Sequence, residues 1–396
     1  MKMVQQKILL ENKQYEIPYS IDQSKVVAAA EKALNKIEKN IDNYKNGFVE
    51  SGLKYRFSSI NQYWTHGMQT GCLWLAYEIS GNKIFKDAAE HHFASYRTRF
   101  DEKIGMDDHD VGFVFSPSCV AQYKITGDEK ARKCALDAAK YLYEKSYSKE
   151  GKFIIRSHVT WHTGGGCRTM MDSLMNAPLL FWASSETGNM DYHQAGVDHN
   201  KTTIDYLIRE DASTFHHYQF EPQTAKPVRG LTLQGYSDDS CWSRGHSWGI
   251  SGFPITYAYT HDDSLIPVHK DITYYMLNHL PDDHIPYWDY TFGQGSTQPR
   301  DSSAGVIAVC GMREMCKHLP DTAEQKAIFE NASARILEST IANCAGDDYD
   351  EYDGLICHVT GALPQNAGID ACALYADYFY LEALMRYIRP DWKMYW

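Results

Sequence analysis

The feature that most constrains the fold of this chain is a short pattern that recurs along its first half. In each copy a helical run ends at a glycine, and the next helix begins at once with Asn or Asp. Glycine releases a helix end by taking a left-handed conformation, and Asn or Asp then caps the following N-terminus. The three clear copies pair Gly81 with Asn82, Gly127 with Asp128 and Gly188 with Asn189, and looser copies begin at Tyr257 and Cys316. Each copy therefore predicts a tight hairpin of two helices.

Helical periodicity extends this pattern to about twelve helices. Six are apolar nearly all round, which indicates burial, and six are amphipathic, which indicates an outer position. The apolar set covers about 67–80, 112–126, 169–187, 246–260, 302–318 and 371–388, and the amphipathic set about 24–47, 83–99, 129–146, 190–209, 264–280 and 322–342. Strict alternation of six inner and six outer helices predicts an all-α fold, a closed (α/α)6 barrel. An open helical solenoid is the alternative, but it would leave one face of the inner helices in water.

The connections between these helices are unequal in length. Inner-to-outer turns have a few residues, whereas outer-to-inner connections are long and rich in Trp, His, Asp, Arg and Gly. The long connections cover about 48–66, 100–111, 147–168, 210–245, 281–301 and 343–370. They should all lie at the barrel end where the inner helices begin, and long loops on one face of a rigid scaffold usually carry the functional site. Because no linker interrupts the series, we expect residues 1–396 to form a single domain.

Composition excludes several classes of protein. The net charge of −12 disfavours a nucleic-acid-binding protein, which needs a basic surface. No segment has the length of a membrane span, and the N-terminus lacks the apolar stretch of a secretory signal, so a cytoplasmic location is expected. An exported chain whose signal had been removed would look the same. The ten cysteines show no C-x-x-C spacing and are expected to be reduced and buried.

Two aspartates are the sharpest candidates for catalysis. Asp110 lies in DDHDVGFVFSPS where an inner helix starts, and Asp172 lies in RTMMDSLMNAPLL, one turn inside the next inner helix. A carboxyl group in an apolar helix is costly unless it is paired or neutral. Burial and a second carboxylate both raise a pKa, which keeps a carboxylic acid protonated near neutral pH. A helix N-cap is the alternative role for Asp110, and a buried hydrogen-bonding role is the alternative for Asp172.

The segment LQGYSDDSCWSRGHSWG at 233–249 is the densest in candidate binding residues. The planar guanidinium of Arg244 could bind a carboxylate through two parallel hydrogen bonds, and Trp242 and Trp248 are suited to stacking on a sugar ring. Arg244 paired with Asp238 or Asp239 over buried tryptophans is the alternative. Elsewhere, His109 and His216 could hydrogen-bond hydroxyl groups or a carboxylate, although a lone histidine more often has a structural role. The other candidates in the segment are Gln234, Trp242, His246 and Trp248.

A metal or nucleotide site is not expected. His158 and His162 have i,i+4 spacing in HVTWH, but the segment reads as a loop, with no Glu between them and no third ligand. The run TGGGC at 163–167 lacks the strand context and the lysine of a phosphate-binding loop.

An ordered set of motifs resembles the unsaturated glucuronyl hydrolases of glycoside hydrolase family 88. It spans about Trp64 to Trp396 and comprises WTHGMQTGCLWLAYE, HDVGF, SPSC, MMDSLMN, STFH, QGYSDDS, YWD, QPRDSSA and DYFYLEAL. The resemblance implies an (α/α)6 barrel without a cofactor. It also implies a small unsaturated oligosaccharide as substrate, left by a polysaccharide lyase.

The resemblance also assigns roles to individual residues. The catalytic acids of the family fall on Asp110 and Asp172. The family reaction hydrates the C4=C5 double bond of the terminal sugar: Asp172 gives a proton to C4 and helps deprotonate the water that adds at C5. Asp110 holds ring hydroxyls and keeps Asp172 protonated. The sugar-binding residues of the family fall on Trp64, His109, His216, Gln234, Trp242, Arg244 and Trp248.

The chain departs from the family pattern in four places. Met68 stands where Phe is common, Leu233 precedes Gln234 where some members have His, and Trp161 is only a possible substitute for an expected tryptophan. The stretch GALPQNAGID lacks the Ser, Ser and Lys that bind a substrate sulfate in streptococcal members, so a preference for 6-sulfated substrates is not expected. Two alternatives stay open: an unsaturated rhamnogalacturonyl hydrolase acting on pectin fragments, and a non-catalytic sugar-binding barrel or helical interaction protein.

Overall fold

The computed structural model describes residues 8–50, 52–157, 167–345 and 352–396. Within them, inner and outer helices alternate along the chain, as the sequence predicts. The inner helices are His66–Ser80, Val111–Phe115 continued by Ala121–Thr126, Pro178–Thr187, Ser243–Thr260, Ser302–His318 and Leu374–Ile388. The outer helices are Gln23–Lys39, Lys83–His91 continued by Phe93–Glu102, Glu129–Ser146, Met190–Leu207, Leu265–His279 and Glu324–Asn343. The short helix Ile41–Asn46 follows the first outer helix.

The inner helices close into a ring. Ser243–Thr260 packs against Ser302–His318, which packs against Leu374–Ile388, and that last helix packs against the first inner helix, His66–Ser80. The ring continues from His66–Ser80 through the second inner helix to Pro178–Thr187 and back to Ser243–Thr260. The fold is therefore a closed helical barrel, and the open solenoid is excluded.

The hairpins form by the predicted local rule. Gly81, Gly127 and Gly188 have φ values of 72°, 74° and 74°, and each ends an inner helix in the left-handed conformation. The side chains that follow cap the next helices: those of Asn82, Asp128 and Asn189 each accept a hydrogen bond from the backbone N–H two residues on. In the fourth hairpin His261, at φ 52°, takes the place of the glycine.

Two inner helices are less regular than predicted. The second contains a π-helical turn at Ser116–Val120, where Pro117 has no backbone N–H to donate. The predicted helix 169–187 is wrong at its start, because a strand and a 3₁₀ helix, Met171–Met175, precede the α-helix. Pro178 occupies the first turn of that α-helix, where the missing N–H costs nothing. Asp172 therefore lies in the 3₁₀ turn ahead of the helix and not one turn inside it.

Short antiparallel strands occur within the long connections, which helical periodicity did not predict. β1 (Phe48–Glu50) pairs with β2 (Arg56–Ser58), and β3 (Tyr147–Ser148) pairs with β4 (Phe153–Ile154). A three-stranded sheet has the order β5 (Cys167–Met170), β6 (His217–Phe220) and β7 (Pro227–Leu231). Met170 lies opposite His217, so this sheet brings the fourth long connection beside the 3₁₀ turn of Asp172.

The predicted state of the cysteines is confirmed, since all ten are free and buried. Of the helices that the structure describes, none is long and apolar enough to cross a membrane. His158, Trp161, His162 and most of the TGGGC run lie outside the described residues.

Candidate active site

A cluster of one imidazole and three carboxyl groups lies where the inner helices begin. His109 Nε2 is 3.2 Å from Asp172 Oδ1 and 3.5 Å from Asp110 Oδ1. On the other side of the ring, His109 Nδ1 hydrogen-bonds the Asp108 carboxylate and lies 3.1 Å from the carbonyl oxygen of Arg156. The structure thus brings together the two predicted acids and one predicted sugar-binding residue within hydrogen-bonding reach.

Asn176 holds the two acids at this spacing. Its Nδ2 donates to Asp110 Oδ1 at 3.4 Å and to the carbonyl oxygen of Asp172 at 3.3 Å, while its Oδ1 accepts from the backbone N–H of Phe113 at 2.8 Å. Asp110 occupies the N-cap position of Val111–Phe115, yet its side chain makes no capping bond. The capping alternative for Asp110 is therefore wrong. Asn176 was missed by the sequence analysis, although it lies inside the quoted motif MMDSLMN.

The cluster distributes its protons unequally. Burial alone would lower the pKa of His109, but the fields of Asp110, Asp108 and Asp172 raise it well above its usual value. Burial, together with Asp108 and Asp172, raises the pKa of Asp110 to about 7. Burial would also raise the pKa of Asp172, but the adjacent His109 cation outweighs it and lowers that pKa. The pKa of Asp110 is thus raised and that of Asp172 lowered in the unliganded cluster, and the protonation of Asp172 through Asp110 stays a prediction.

Aromatic rings line the cluster. Trp64 is half-buried and stacks on Tyr375, with centroids 5.3 Å apart and planes 14° apart, and it also contacts Phe113 at 5.2 Å. Trp248 lies behind Phe113, 5.2 Å from it, and is only 2% exposed. The prediction that Trp248 stacks on a sugar is not supported, because its faces pack against Phe113 and Phe379.

The sequence suggests that the Arg244 guanidinium is free to bind a carboxylate, but most of its N–H groups are engaged within the protein. Its Nη1 donates to Asp301 Oδ2 at 2.6 Å and to the carbonyl oxygen of Thr360 at 2.7 Å, and its Nη2 donates to the carbonyl oxygen of Gly361 at 2.5 Å. Neither Asp238 nor Asp239 is its partner. Among the described residues, three of the five guanidinium N–H groups are thus engaged, which leaves two for a ligand. Asp301 was missed, although it stands in the quoted motif QPRDSSA immediately before an inner helix.

The remaining predicted residues gather on the Arg244 side of the cluster. The ring of Trp242 lies between His216, 4.5 Å away, and the Arg244 guanidinium, also 4.5 Å away. Gln234 Nε2 donates to the carbonyl oxygen of Gly361 at 3.1 Å, the same oxygen that Arg244 contacts. His216 Nδ1 accepts from the backbone N–H of Leu233, so its Nε2 carries the proton. Within the described residues, that N–H and the buried indole N–H of Trp242 have no hydrogen-bond partner.

Metal binding is the other chemistry that this cluster could offer. Asp108, His109 and Asp110 place one potential ligand atom each within 4.8 Å of one another. Both nitrogens of His109, however, already face oxygen acceptors, and a metal ligand needs a free imidazole lone pair. The donor set therefore fits a proton-sharing cluster better than a metal centre.

Comparison with known proteins adds independent findings. The family model described as Glycosyl Hydrolase Family 88 matches residues 30–293. The unsaturated chondroitin disaccharide hydrolase of Streptococcus pneumoniae is 40% identical over 100% of this chain and 99% of its own length. The unsaturated glucuronyl hydrolase of Bacillus sp. is 34% identical over 89% of this chain and 94% of its own. The crystal structure of unsaturated glucuronyl hydrolase from Streptococcus agalactiae has a TM-score of 0.94 and 37% identity and covers 99% of this chain and 98% of its own.

Proposed function

The chain belongs to Glycosyl Hydrolase Family 88, and on that premise we propose that it removes a 4,5-unsaturated glucuronic acid from the non-reducing end of glycosaminoglycan-derived oligosaccharides. The observation that carries this proposal is the cluster in which Asp110 and Asp172 both lie within 3.5 Å of His109 Nε2. A related structure, a point mutant of the Streptococcus agalactiae enzyme, is complexed with dGlcA-GalNAc6S. We treat residues 1–396 as one catalytic domain, because the ring of inner helices draws on segments from His66 to Ile388.

The reaction that suits this cluster is hydration of a vinyl ether. A proton from Asp172 forms the new C4–H bond, the oxygen of a water molecule bonds to C5, and the proton of that water returns to Asp172. The product is a hemiketal at C5. Its ring opens to a ketone, and the hemiacetal left at C1 expels the remaining sugar with its glycosidic oxygen. Asp172 is thus regenerated without an external acid, which fits a site built around shared protons.

Asp172 needs a proton at the start of this cycle, although its pKa is lowered in the unliganded cluster. Two effects of the substrate favour the transfer from His109. The carboxylate of the unsaturated sugar brings a like charge, which raises the pKa of nearby carboxyl groups. Closure of the site by the sugar removes water, which further disfavours an ionised Asp172. The contact of 3.2 Å between His109 Nε2 and Asp172 Oδ1 provides the path for the proton.

The substrate carboxylate is assigned to the wall formed by Arg244, His216 and Trp242. Two guanidinium N–H groups remain for a ligand there, and the buried N–H groups of His216 and Trp242 have no partner among the described residues. Buried donors without partners are uncommon in folded proteins. A bound carboxylate, which accepts several hydrogen bonds, would satisfy them together.

The loop at 361–370 bears on whether the enzyme prefers sulfated or unsulfated substrates. This loop, GALPQNAGID, contains no cationic side chain, and its Gly361 carbonyl is already used by Arg244 and Gln234. A sulfate at this place would receive none of the charge-assisted hydrogen bonds that a lysine and two serines supply. We therefore propose that this enzyme hydrolyses unsulfated substrates at least as readily as 6-sulfated ones.

We also propose a cytoplasmic location, because all ten cysteines are free, as is usual in a reducing compartment. Fractionation of the source cells with a specific antibody tests this proposal. Recovery of the protein from the periplasm or the medium would overturn it.

The experiment that tests the activity follows the ultraviolet absorbance of the conjugated double bond, which is lost on hydration. Unsaturated disaccharides from chondroitin, hyaluronan, heparin and rhamnogalacturonan form the panel. We expect turnover of at least one of the three glycosaminoglycan disaccharides at a higher kcat/KM than the rhamnogalacturonan one. Turnover of the rhamnogalacturonan disaccharide alone would assign the enzyme to pectin fragments, and no turnover of any would contradict the proposed activity.

A further inference from the structure

We propose that Asp108 is a positioning residue of this reaction, which fixes His109 with its Nε2 directed at Asp172 and Asp110. The inference rests on the proposed function and deepens it, because it names the residue that sets the proton supply of Asp172. Asp108 immediately precedes the HD pair formed by His109 and Asp110.

The contacts around Nδ1 determine which tautomer His109 adopts. Nδ1 lies 3.1 Å from the carbonyl oxygen of Arg156 and also hydrogen-bonds the carboxylate of Asp108. Both partners are acceptors, so Nδ1 must carry a proton in the neutral and in the charged imidazole. The only proton that His109 can exchange is therefore the one on Nε2, the nitrogen that faces Asp172 and Asp110.

Asp108 is itself held in place for this role. Its Oδ1 also accepts the backbone N–H of His109 at 2.6 Å, so one carboxylate fixes both the main chain and the ring of the next residue. A β-bridge between Asp108 and Ser157, and the hydrogen bond from His109 N–H to Arg156 O at 2.8 Å, tie this loop to its neighbour. A carboxylate that orients an imidazole, which in turn contacts the reacting group, is a recurring catalytic arrangement.

The charges around His109 all bear on its Nε2 proton. Three of the neighbouring groups are the carboxyl groups of Asp108, Asp110 and Asp172. The Arg156 guanidinium lies 3.8 Å from Asp108, so it offsets the negative charge of that carboxylate only in part. The two neighbouring histidines are neutral near pH 7, because burial lowers the pKa of His216 to about 4 and that of His199 to about 3. Among the described residues, the titratable and charged groups around His109 are Asp108 and Asp110 from its own loop, Asp172 from the 3₁₀ turn, Arg156 and His216 from the next two connections, and His199 from the outer helix.

Removing the charge of Asp108 should change the pH dependence in one direction. Without the anion of Asp108 the imidazolium of His109 is less stable, so the pKa of His109 falls. The proton that His109 shares with Asp172 would then dissociate at a lower pH. Activity needs that proton, and the alkaline limb of kcat/KM reports its loss from the free enzyme. An opposite charge within about 4–6 Å moves a pKa by roughly 1–3 units, so the alkaline limb should move down by about one unit or more.

The test compares three variants by the ultraviolet assay across pH. Asp108→Asn should shift the alkaline limb downward and lower kcat more than it raises KM. Asp108→Glu should keep the limb closer to wild type, because it restores the charge. Asp107→Asn, an exposed neighbour in the same loop, is the matched control and should behave as wild type. An Asp108→Asn enzyme with the wild-type profile and kcat would overturn the inference, whereas an inactive wild type would instead overturn the proposed function.

A second measurement covers the case in which Asp108→Asn does not fold. Wild-type protein labelled with ¹⁵N at histidine reports the tautomer by NMR, and His109→Gln assigns the His109 signals. We expect the Nδ1 of His109 to remain protonated at every pH. A neutral His109 that carries its proton on Nε2 would overturn the inference.

Discussion

The buried ion pair between Arg244 and Asp301 allows a quantitative prediction. Asp301 is fully buried, and besides Arg244 it accepts a hydrogen bond from Ser303 Oγ. The substitution Asp301→Ala would leave the Arg244 guanidinium buried without its counter-charge. Breaking a buried pair in this way typically costs roughly 3–5 kcal/mol of the free energy of unfolding.

This cost converts into a shift of the melting temperature. Unfolding entropy is about 2.1 cal/mol/K per residue, or about 0.8 kcal/mol/K for a chain of 396 residues. Asp301→Ala should therefore lower Tm by about 4–6 °C, measured by circular dichroism at the pH of maximal stability. The matched control is Glu16→Ala, which removes an exposed pair with Lys13 and should leave Tm nearly unchanged.

A double substitution separates the ion pair from general loss of packing. Adding Arg244→Met to Asp301→Ala removes the unpaired charge, so the double variant should be more stable than Asp301→Ala alone. If the two single effects simply add, or if Asp301→Ala melts with the wild type, Arg244 is not held by Asp301 as the structure indicates.

Three further predictions concern the site itself. Asp172→Asn should fold and lose ~10²–10⁴-fold in kcat, the range of a general acid–base group, and more than a tenth of wild-type kcat would contradict its role. Burial raises the pKa of Asp110 to about 7, above its ordinary value near 4. Burying the ionised carboxylate therefore lowers the free energy of unfolding, by nothing below about pH 4 and by an amount that grows as the pH rises to about 7. Asp110→Asn should therefore gain Tm over the wild type by a margin that widens across that window, and a margin independent of pH would refute this account. For the loop at 361–370, the unsulfated chondroitin disaccharide should have a kcat/KM at least equal to that of its 6-sulfated form, and a tenfold preference for the sulfated one would show that another cation has replaced the missing lysine.

The helical framework could be predicted because its signals are local. The turn from Gly81 to Asn82 needs only a left-handed residue and a capping side chain, and both are set within a few residues. Burial of the inner helices also follows from composition, since they are apolar on every face. Six such helices in alternation with amphipathic ones leave few arrangements other than a ring.

The errors arise where contacts are remote in sequence. The start of the third inner helix becomes a strand because Thr169 pairs with Tyr218, a partner that helical periodicity does not reveal. The alternative partners considered for Arg244, Asp238 and Asp239, are its neighbours in sequence, but Asp301, 57 residues away, is its partner. That Asp110 and Asp172 lie close together could be predicted from the sequence, whereas their pKa values could not, because a pKa depends on every charge that the fold brings near.

The closure of the barrel has a consequence for its synthesis on the ribosome. Trp64 stacks on Tyr375, and these residues flank the contact between the first and last inner helices, about 310 positions apart. At about 5–20 residues per second, Tyr375 is made roughly 15–60 s after Trp64. Throughout that interval the apolar surfaces of His66–Ser80 and Ser302–His318 that pack against Leu374–Ile388 have no partner. We expect such a chain to need chaperone protection until its last hairpin emerges, and the stack of Trp64 on Tyr375 to form only at the end of translation.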